Sequence, residues 1–264
     1  LSCNQRALHI EHRLLDDVCC RFRTCYPTDV LPLDLMALSY SVKGDGALLS
    51  LRLEMSCDGH IGELNLERLR LHLAGERYIS QMLYLSLLRN LEGIELVPLG
   101  VDGEPLAGVN GVGMSFKIPG NRVQPVGFAE EEALIPYPLN TFRGYRYLQE
   151  YFALQDKFLF VDLSGLDLLQ RLAQDILQRM HGLELRFDIR NSGVQRLRPT
   201  LDNVKLYCTP IVNLFKHDAL PIRLDGKQDE YLLLPAKYEL EHCGVFSIES
   251  VTGWKPGGLG YQAY

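Results

Sequence analysis

A change of sequence period between residues 142 and 165 constrains the fold more than any other feature. In the first half of this stretch, aromatic and apolar residues recur at helical spacing. In the second half, the nearly continuous apolar run Phe158–Leu163 ends at a Ser-Gly pair, which is typical of a buried strand. The stretch therefore predicts a helix that leads directly into a strand. One helical stripe comprises Tyr145, Leu148 and Phe152, and a neighbouring stripe comprises Tyr147 and Tyr151.

The two stripes of this predicted helix cannot both be buried by a single core, because a helix normally turns one apolar face inward. We assign the continuous stripe of Tyr145, Leu148 and Phe152 to the chain's own core. Tyr147 and Tyr151 point away from that stripe. They are candidates for a face that meets either a second subdomain or a partner chain, since aromatic residues are enriched at interface anchors.

The rest of the chain contains more strand patterns than helix patterns. Apolar and polar residues alternate from Leu183 to Ile189 and again from Leu49 to Met55, where a Gly-Asp-Gly turn predicts a β-hairpin with the preceding segment. Residues 76–90 and 167–180 show the spacing of amphipathic helices. The sequence therefore predicts a strand-rich α+β fold of antiparallel β-hairpins with a few packed amphipathic helices.

The chain length of 264 residues suggests two subdomains. Residues 119–138 are irregular and contain several prolines, so we place the boundary near Asn140. The acidic run Glu130–Glu132 in this segment is interpreted as a solvated helix start. We expect a β-rich subdomain with one helix in residues 1–140, and an α+β subdomain that opens with the aromatic helix in residues 141–264.

The composition excludes several functional classes. The formal net charge is −6 and the basic residues are dispersed, which argues against nucleic-acid binding. The sequence has no run of about 18 apolar residues, so we expect no direct membrane insertion. The seven cysteines are irregularly spaced and predict free thiols rather than a disulfide framework.

Motifs for catalysis or cofactor binding are weak. His9 and His12 are three residues apart around Glu11, whereas zinc proteases place their histidines four apart on a helix. The glycines of residues 108–113 lack the Lys-Ser or Lys-Thr of a phosphate-binding loop. We therefore expect no cofactor. Three hypotheses stay open: a structural assembly protein, an enzyme whose site is assembled from scattered His and Asp residues, and a carbohydrate- or peptide-binding β-domain.

Five sequence blocks carry a family resemblance. The first, GYRYLQEYFALQDKFLFVDLSG at Gly144–Gly165, resembles the most recognisable block of TssF (also called ImpG or VasA), a baseplate subunit of the bacterial type VI secretion system. Four further blocks follow the order of that family, and the chain resembles the central part of a longer protein. They are CRFRT with VLPL (Cys20–Leu33), LERLRLHLAG (Leu66–Gly75), VGFAEEEALIPY (Val126–Tyr137) and TPIVNLFKHDALPIRLD (Thr209–Asp225).

The resemblance implies a structural protein without substrate turnover. Members of the family are components of a cytoplasmic baseplate wedge beneath the contractile sheath, in which TssF assembles with TssG, TssE, TssK and a second TssF copy. The segment Asn213–Phe215 resembles the NLF block of the family. We add Asn213, Leu214 and Phe215 to Tyr147 and Tyr151 as interface candidates, although an Asn amide near a turn also commonly bonds local backbone.

Overall fold

The computed structural model describes residues 9–13, 19–108, 113–137, 141–190, 196–237, 243–254 and 261–263, with side chains described between residues 20 and 254 of these ranges. The chain divides into two compact units. Unit one contains residues 24–210, and unit two contains residues 8–23 and 211–264. The five cysteines with described side chains are free thiols.

Strands outnumber helices along the chain, and the strand-rich α+β class is confirmed. The helices are α1 (Arg77–Arg89), α2 (Arg143–Ala153) and α3 (Gln174–Arg179). The strands are β1 (His9–Arg13), β2 (Cys19–Thr24), β3 (Leu33–Lys43), β4 (Gly46–Met55), β5 (Arg68–Leu73), β6 (Leu91–Leu99), β7 (Phe116–Pro119), β8 (Val123–Pro125), β9 (Phe160–Ser164), β10 (Gly182–Arg190), β11 (Val204–Lys205), β12 (Ile211–Val212), β13 (Thr252–Trp254) and β14 (Tyr261–Ala263).

A five-stranded antiparallel sheet forms one layer of unit one, in the order β3-β4-β10-β6-β7. The predicted hairpin is confirmed, because β3 and β4 pair around the turn at Gly44, whose φ of 56° suits glycine. Strand β10 lies in the middle of the sheet. Its Leu185 is opposite Leu51 of β4 on one side and Leu96 of β6 on the other.

A four-stranded sheet in the order β11-β5-β9-β8 forms the second layer of unit one. The strict alternation of apolar residues along β5 buries Leu69, Leu71 and Leu73 on one face. These side chains belong to the same hydrophobic cluster as the inward residues of β4, β6 and β10. The two sheets therefore share one core, and the other face of the four-stranded sheet bears Arg70, His72 and Asp162.

Helix α1 connects the two sheets and confirms the helix predicted over residues 76–90. It buries Leu83 and Leu87 in the shared core, as the helical spacing requires. Its other face exposes Tyr78 and Leu85. Among the described residues, no helix is long and apolar enough to cross a membrane.

The helix predicted over residues 167–180 is interrupted. A 3₁₀ helix spans Leu166–Arg171, and α3 begins only at Gln174. Between them, Leu172 and Ala173 have ψ values of 153° and 144°, so their backbone is extended. The helical spacing predicts a buried face of Leu169, Leu172, Ala173, Ile176 and Met180. Leu169 and Met180 are buried and Leu172 and Ile176 half-buried, but the prediction is wrong for Ala173, which is exposed at the interruption.

Helix α2 corresponds to the predicted aromatic helix, but the prediction of its buried face is wrong. Tyr145, Leu148 and Phe152 are 59%, 57% and 79% exposed, so this stripe does not belong to the core of unit one. The residues that α2 buries are Arg146 and Glu150. The physical reason is that this side of α2 meets the buried ammonium of Lys157 and the carbonyls of the preceding loop, which require charged partners.

The two compact units are bounded differently from the two predicted subdomains. Strand β10 pairs with β4 and β6, so the five-stranded sheet contains residues from both sides of position 140. Backbone pairing between strands distant in sequence, rather than the composition of the intervening segment, sets the limits of unit one.

Unit two contains the remaining strands. Strands β1, β2 and β12 form a three-stranded sheet, and β13 pairs with β14. The apolar segments at residues 220–224 and 231–234 flank an Asp-Gly pair, a pattern that predicts a hairpin. The structure has only a single bridge there, between Ala219 and Pro235, with a hydrogen bond of 2.8 Å from the Leu220 amide to the Leu234 carbonyl. Most of unit two within the described ranges is irregular.

Candidate interaction surface

A polar cluster covers the outer face of the four-stranded sheet. The guanidinium of Arg70, on β5, donates two hydrogen bonds of 2.7 and 2.8 Å to the carboxylate of Asp162 on β9. The same guanidinium lies 3.4 Å from Glu132 and 5.4 Å from the ring of Tyr26. The Tyr26 ring also lies 6.0 Å from the ammonium of Lys157, which connects this cluster to the residues that follow α2.

The inward face of α2 carries two buried charges, those of Arg146 and Glu150, which are 4% and 1% exposed. The carboxylate of Glu150 accepts hydrogen bonds from the ammonium of Lys157 and, at 2.8 Å, from the amide of Leu134. Lys157 is fully buried and also donates to the carbonyl of Glu132 at 2.9 Å. Glu150 and Lys157 therefore balance each other's charge, and backbone groups complete their hydrogen bonding.

The loop before α2 is held by the same polar cluster. The carboxylate of Glu132 accepts hydrogen bonds from the amides of Gly127 and Ala129 at 2.7 and 3.2 Å. The guanidinium of Arg146 donates to the carbonyls of Phe128 and Ala129 at 3.0 and 3.1 Å. The interpretation of the acidic run as a solvated helix start is wrong for Glu132, because its side chain closes this loop and is only 12% exposed.

Burial perturbs two titratable groups of the cluster. Desolvation raises the pKa of the Tyr26 phenol above its usual range, and the charges of Glu132 and Glu150 raise it further. Desolvation lowers the pKa of the Lys157 ammonium, while the hydrogen bond and the charge of Glu150 oppose that change. The Tyr26 hydroxyl donates to the Lys157 carbonyl at 2.8 Å, so both groups are used in packing the cluster.

The outward face of α2 is apolar. We call the aromatic surface the four apolar residues of this face together with Phe142, which directly precedes the helix: Phe142, Tyr145, Leu148, Tyr151 and Phe152, all of them exposed. Phe142 and Tyr145 contact each other edge to face at 5.7 Å between ring centroids, and Tyr151 and Phe152 do so at 5.8 Å. The aromatic surface is therefore an ordered apolar patch on a helix whose opposite face is charged and buried.

A second group of rings borders the aromatic surface. Phe128 packs against Tyr147 at 5.5 Å and against Phe158 at 5.1 Å between ring centroids. Phe158 in turn lies 6.2 Å from Tyr151. The loop that Glu132 and Arg146 hold therefore adds Phe128, which is itself partly exposed, to the edge of the patch.

Comparison with known proteins identifies the family. The family model described as "Type VI secretion system, TssF" matches residues 4–262. The type VI secretion system component TssF1 of Pseudomonas aeruginosa is 31% identical over an alignment of 258 residues that covers 92% of this chain and 39% of that protein. This chain belongs to the TssF family.

A solved structure supports the same assignment. A chain in the cryo-electron microscopy structure of the type VI secretion system TssK-TssF-TssG baseplate subcomplex matches with a TM-score of 0.76 and 28% identity. The match covers 98% of this TssF-family chain and 46% of that chain. The present chain thus spans less than half the length of both relatives.

The interface candidates on α2 differ in their surroundings. Tyr147 is half-buried, and its hydroxyl donates to the Phe128 carbonyl at 2.9 Å. The guanidinium of Arg146 lies 4.9 Å from its ring. Tyr151 is exposed and belongs to the aromatic surface. In this TssF-family chain, Tyr151 is therefore presented to solvent more openly than Tyr147.

The other three interface candidates belong to unit two. Asn213 is exposed, whereas Leu214 and Phe215 are half-buried. The Phe215 ring contacts His217 at 5.9 Å and lies 5.9 Å from the Arg21 guanidinium. The structure therefore divides the five candidates into two on α2 and three after β12.

Sequence reasoning missed the polar cluster beneath α2. Arg146 and Glu150 are four residues apart on the helix, and this spacing is the signal that would have indicated a charged inward face. Tyr26, Arg70 and Asp162 lie too far from α2 in the sequence for any local pattern to connect them with it.

The structure gives no support to a metal centre among the residues it describes, where no group of three His, Cys, Asp or Glu side chains could hold an ion. His9, Glu11 and His12 lie in β1, and their side chains fall outside the described ones. The perturbed groups Tyr26 and Lys157 are hydrogen-bonded within a packed cluster rather than in an open cleft.

Proposed function

We propose that this chain is part of a structural subunit of the type VI secretion baseplate wedge, which works in the cytoplasm beneath the contractile sheath. In this proposal the full-length protein assembles with TssG, TssK, TssE and a second TssF copy. It turns over no substrate and needs no cofactor. Membership of the TssF family and the likeness to a chain of a TssK-TssF-TssG subcomplex support the proposal.

The aromatic surface is the observation that carries the proposal. An aromatic side chain has about 150–250 Å² to bury, so the five exposed residues present on the order of 600 Å² of mostly apolar area. The largest apolar patch of a typical monomer is about 300–600 Å² and is often functional. A stable interface buries about 800 Å² on each partner, so this patch has the size of an interface core.

The buried charged residues on the inward face of α2 also support an assembly role. The buried partners of Arg146, Glu150 and Lys157 fix both the rotation of α2 and the path of the preceding loop. A rigid surface loses little conformational entropy when a partner binds, and that favours affinity. An amphipathic helix that served only to pack on its own unit would turn its apolar side inward and its polar side to solvent. Helix α2 does the opposite.

We assign the aromatic surface to the contact with TssG, and we keep Tyr147 with it because that ring lies at its edge. Asn213, Leu214 and Phe215 are proposed as a separate contact of unit two with the baseplate. The solved relative is part of a complex that contains TssG and TssK, which supports partners of this kind.

The proposal is tested by co-purification of full-length protein variants with TssG. We expect Tyr145→Ala with Phe152→Ala to reduce the yield of the complex at least tenfold, because exposed aromatic anchors carry much of an interface's binding energy. The same variant should retain the wild-type thermal unfolding midpoint. Gln149→Ala is the matched control, since Gln149 is an exposed polar residue of the same helix.

Tyr147→Ala with Tyr151→Ala extends the test to the interface candidates. We expect a weaker complex together with a moderate loss of stability, because the Tyr147 hydroxyl bonds the loop before α2. Normal yield of the TssG complex from both double variants would refute the assignment of this surface to TssG.

A further inference from the structure

An open cavity of about 170 Å³ lies between α1 and the residues that follow α2. Its apolar walls include Tyr84 of α1, Tyr151 of the aromatic surface, and Phe158 and Leu159. Its rim includes Arg77 and Asp156. Because Tyr151 belongs both to the wall and to the aromatic surface, the cavity and that surface are continuous.

The volume of the cavity matches one large side chain. A cavity of about 150 Å³ lined by apolar residues is known to accommodate a benzene molecule. An opening of this size therefore accepts a Leu, Met or Phe side chain and has no room for a second one. Interface hot spots commonly consist of one such anchor in a well-packed pocket.

The charged residues at the rim of the cavity indicate which charges should flank such an anchor in the partner chain. Arg77 on α1 and Asp156 after α2 are both exposed. Within the ranges that the structure describes, neither side chain makes a salt bridge, although both line the same cavity. A partner segment with an acidic group towards Arg77 and a basic group towards Asp156 complements both charges and fixes its own orientation.

We infer that the cavity receives one large apolar side chain from the chain that covers the aromatic surface, flanked by an acidic residue at Arg77 and a basic residue at Asp156. The inference rests on the proposed function, under which that chain is TssG. It adds an anchor site on α1 and defines the chemistry of the partner segment.

The first test fills the cavity in the full-length protein. Gln81 is exposed and lines the cavity, so Gln81→Trp should occupy it without disturbing the core. We expect at least a tenfold loss of TssG affinity, measured by titration. Arg89→Trp is the matched control, because Arg89 is exposed on the last turn of α1 and does not line the cavity. It should bind TssG as the wild type does.

The second test does not depend on a new aromatic residue being tolerated. Arg77→Glu places a like charge opposite the partner's acidic group and should weaken TssG binding several-fold, with a larger effect at low salt. A photo-crosslinking residue at Gln81 should capture a TssG peptide that contains a large apolar residue with an acidic and a basic neighbour.

The outcomes separate this inference from the proposed function. If Tyr145→Ala with Phe152→Ala abolishes TssG binding while Gln81→Trp and Arg77→Glu bind normally, the anchor site is refuted and the aromatic surface stands. A crosslink from position 81 to the protein's own chain also overturns the inference. Normal TssG binding by every variant would refute both proposals.

Discussion

Glu150 and Lys157 place two charges where almost no solvent reaches them. A charge in such a position is tolerated only when an opposite charge and hydrogen bonds replace its lost hydration. Both groups meet this condition through each other, the Leu134 amide and the Glu132 carbonyl. Arg146 is less well satisfied, because its Nε atom is buried without a hydrogen-bond partner, 4.0 Å from Glu150.

Glu150→Leu should therefore destabilise unit one severely. The substitution leaves the Lys157 ammonium buried without its counter-ion, and breaking a buried pair in this way typically costs about 3–5 kcal/mol. Glu130→Leu is the control, since Glu130 pairs with Arg143 at an exposed site and such pairs contribute about 0–1 kcal/mol. Urea unfolding followed by circular dichroism measures both. Equal losses from the two variants would mean that the buried pair has no structural role.

His72 should make the stability of unit one depend on pH. Its ring stacks on Phe160 at 4.2 Å, and its Nε2 atom is buried with no hydrogen-bond partner in the described part of the chain. Burial lowers the pKa of His72, and the nearby charge of Asp156 opposes this only in part. The unfolded chain, with a histidine pKa of about 6.5, then binds the proton more readily. The unfolding free energy should fall as the pH drops through that value.

His72→Phe provides the measurement for this pH dependence. The variant retains a ring against Phe160 and loses the titrating group. We expect its unfolding free energy to change less than that of the wild type between about pH 7.5 and pH 5.5. The same slope in both proteins would assign the pH dependence to other groups.

At the scale of the element, the two faces of α1 differ sharply in their contribution to stability. Leu83 is fully buried in the core that the two sheets share, so Leu83→Ala should cost about 2–5 kcal/mol. Leu85 is 46% exposed on the same helix, and Leu85→Ala should change the unfolding free energy by less than about 1 kcal/mol. Thermal unfolding of the two variants makes the comparison. A larger loss from Leu85→Ala would contradict the orientation of the helix.

Periodicity predicted the elements well where the packing surface was apolar. The alternation in β4, β5 and β10 and the spacing in α1 correspond to side chains that face one hydrophobic core. For α2 the same reasoning identified a helix and selected the wrong face. A periodic pattern shows that two faces of a helix differ but not what each face contacts. The inward face of α2 contacts the Lys157 ammonium and the carbonyls of Phe128 and Ala129.

The sequence predicted where the candidate surface lies along the chain, but it did not predict which face of α2 is exposed. Aromatic spacing located the helix and its outward residue Tyr151. The exposure of Phe152 follows from the burial of Arg146 and Glu150 on the other side of the helix, and their partners lie in the preceding loop, such as the Phe128 carbonyl and the Leu134 amide. No local pattern contains that information.

For the whole molecule, stability should be greatest at the centre of the five-stranded sheet. Strand β10 is hydrogen-bonded on both sides, and all its inward residues are buried. We expect its amides to exchange with deuterium more slowly than those of β7 or β11, which lie at sheet edges. Native-state hydrogen exchange measures this. Faster exchange in β10 than in the edge strands would contradict its central place.

The central position of β10 also has a consequence for synthesis of the chain. Strand β4 ends at Met55, and β10, the partner on its open side, begins only at Gly182. A ribosome that adds about 5–20 residues per second needs on the order of ten seconds to make the intervening chain. During that interval β4 and β6 each have an unpaired edge, which is a template for pairing with another strand. We therefore expect the newly made chain to be most prone to wrong strand pairing until residue 190 has left the exit tunnel.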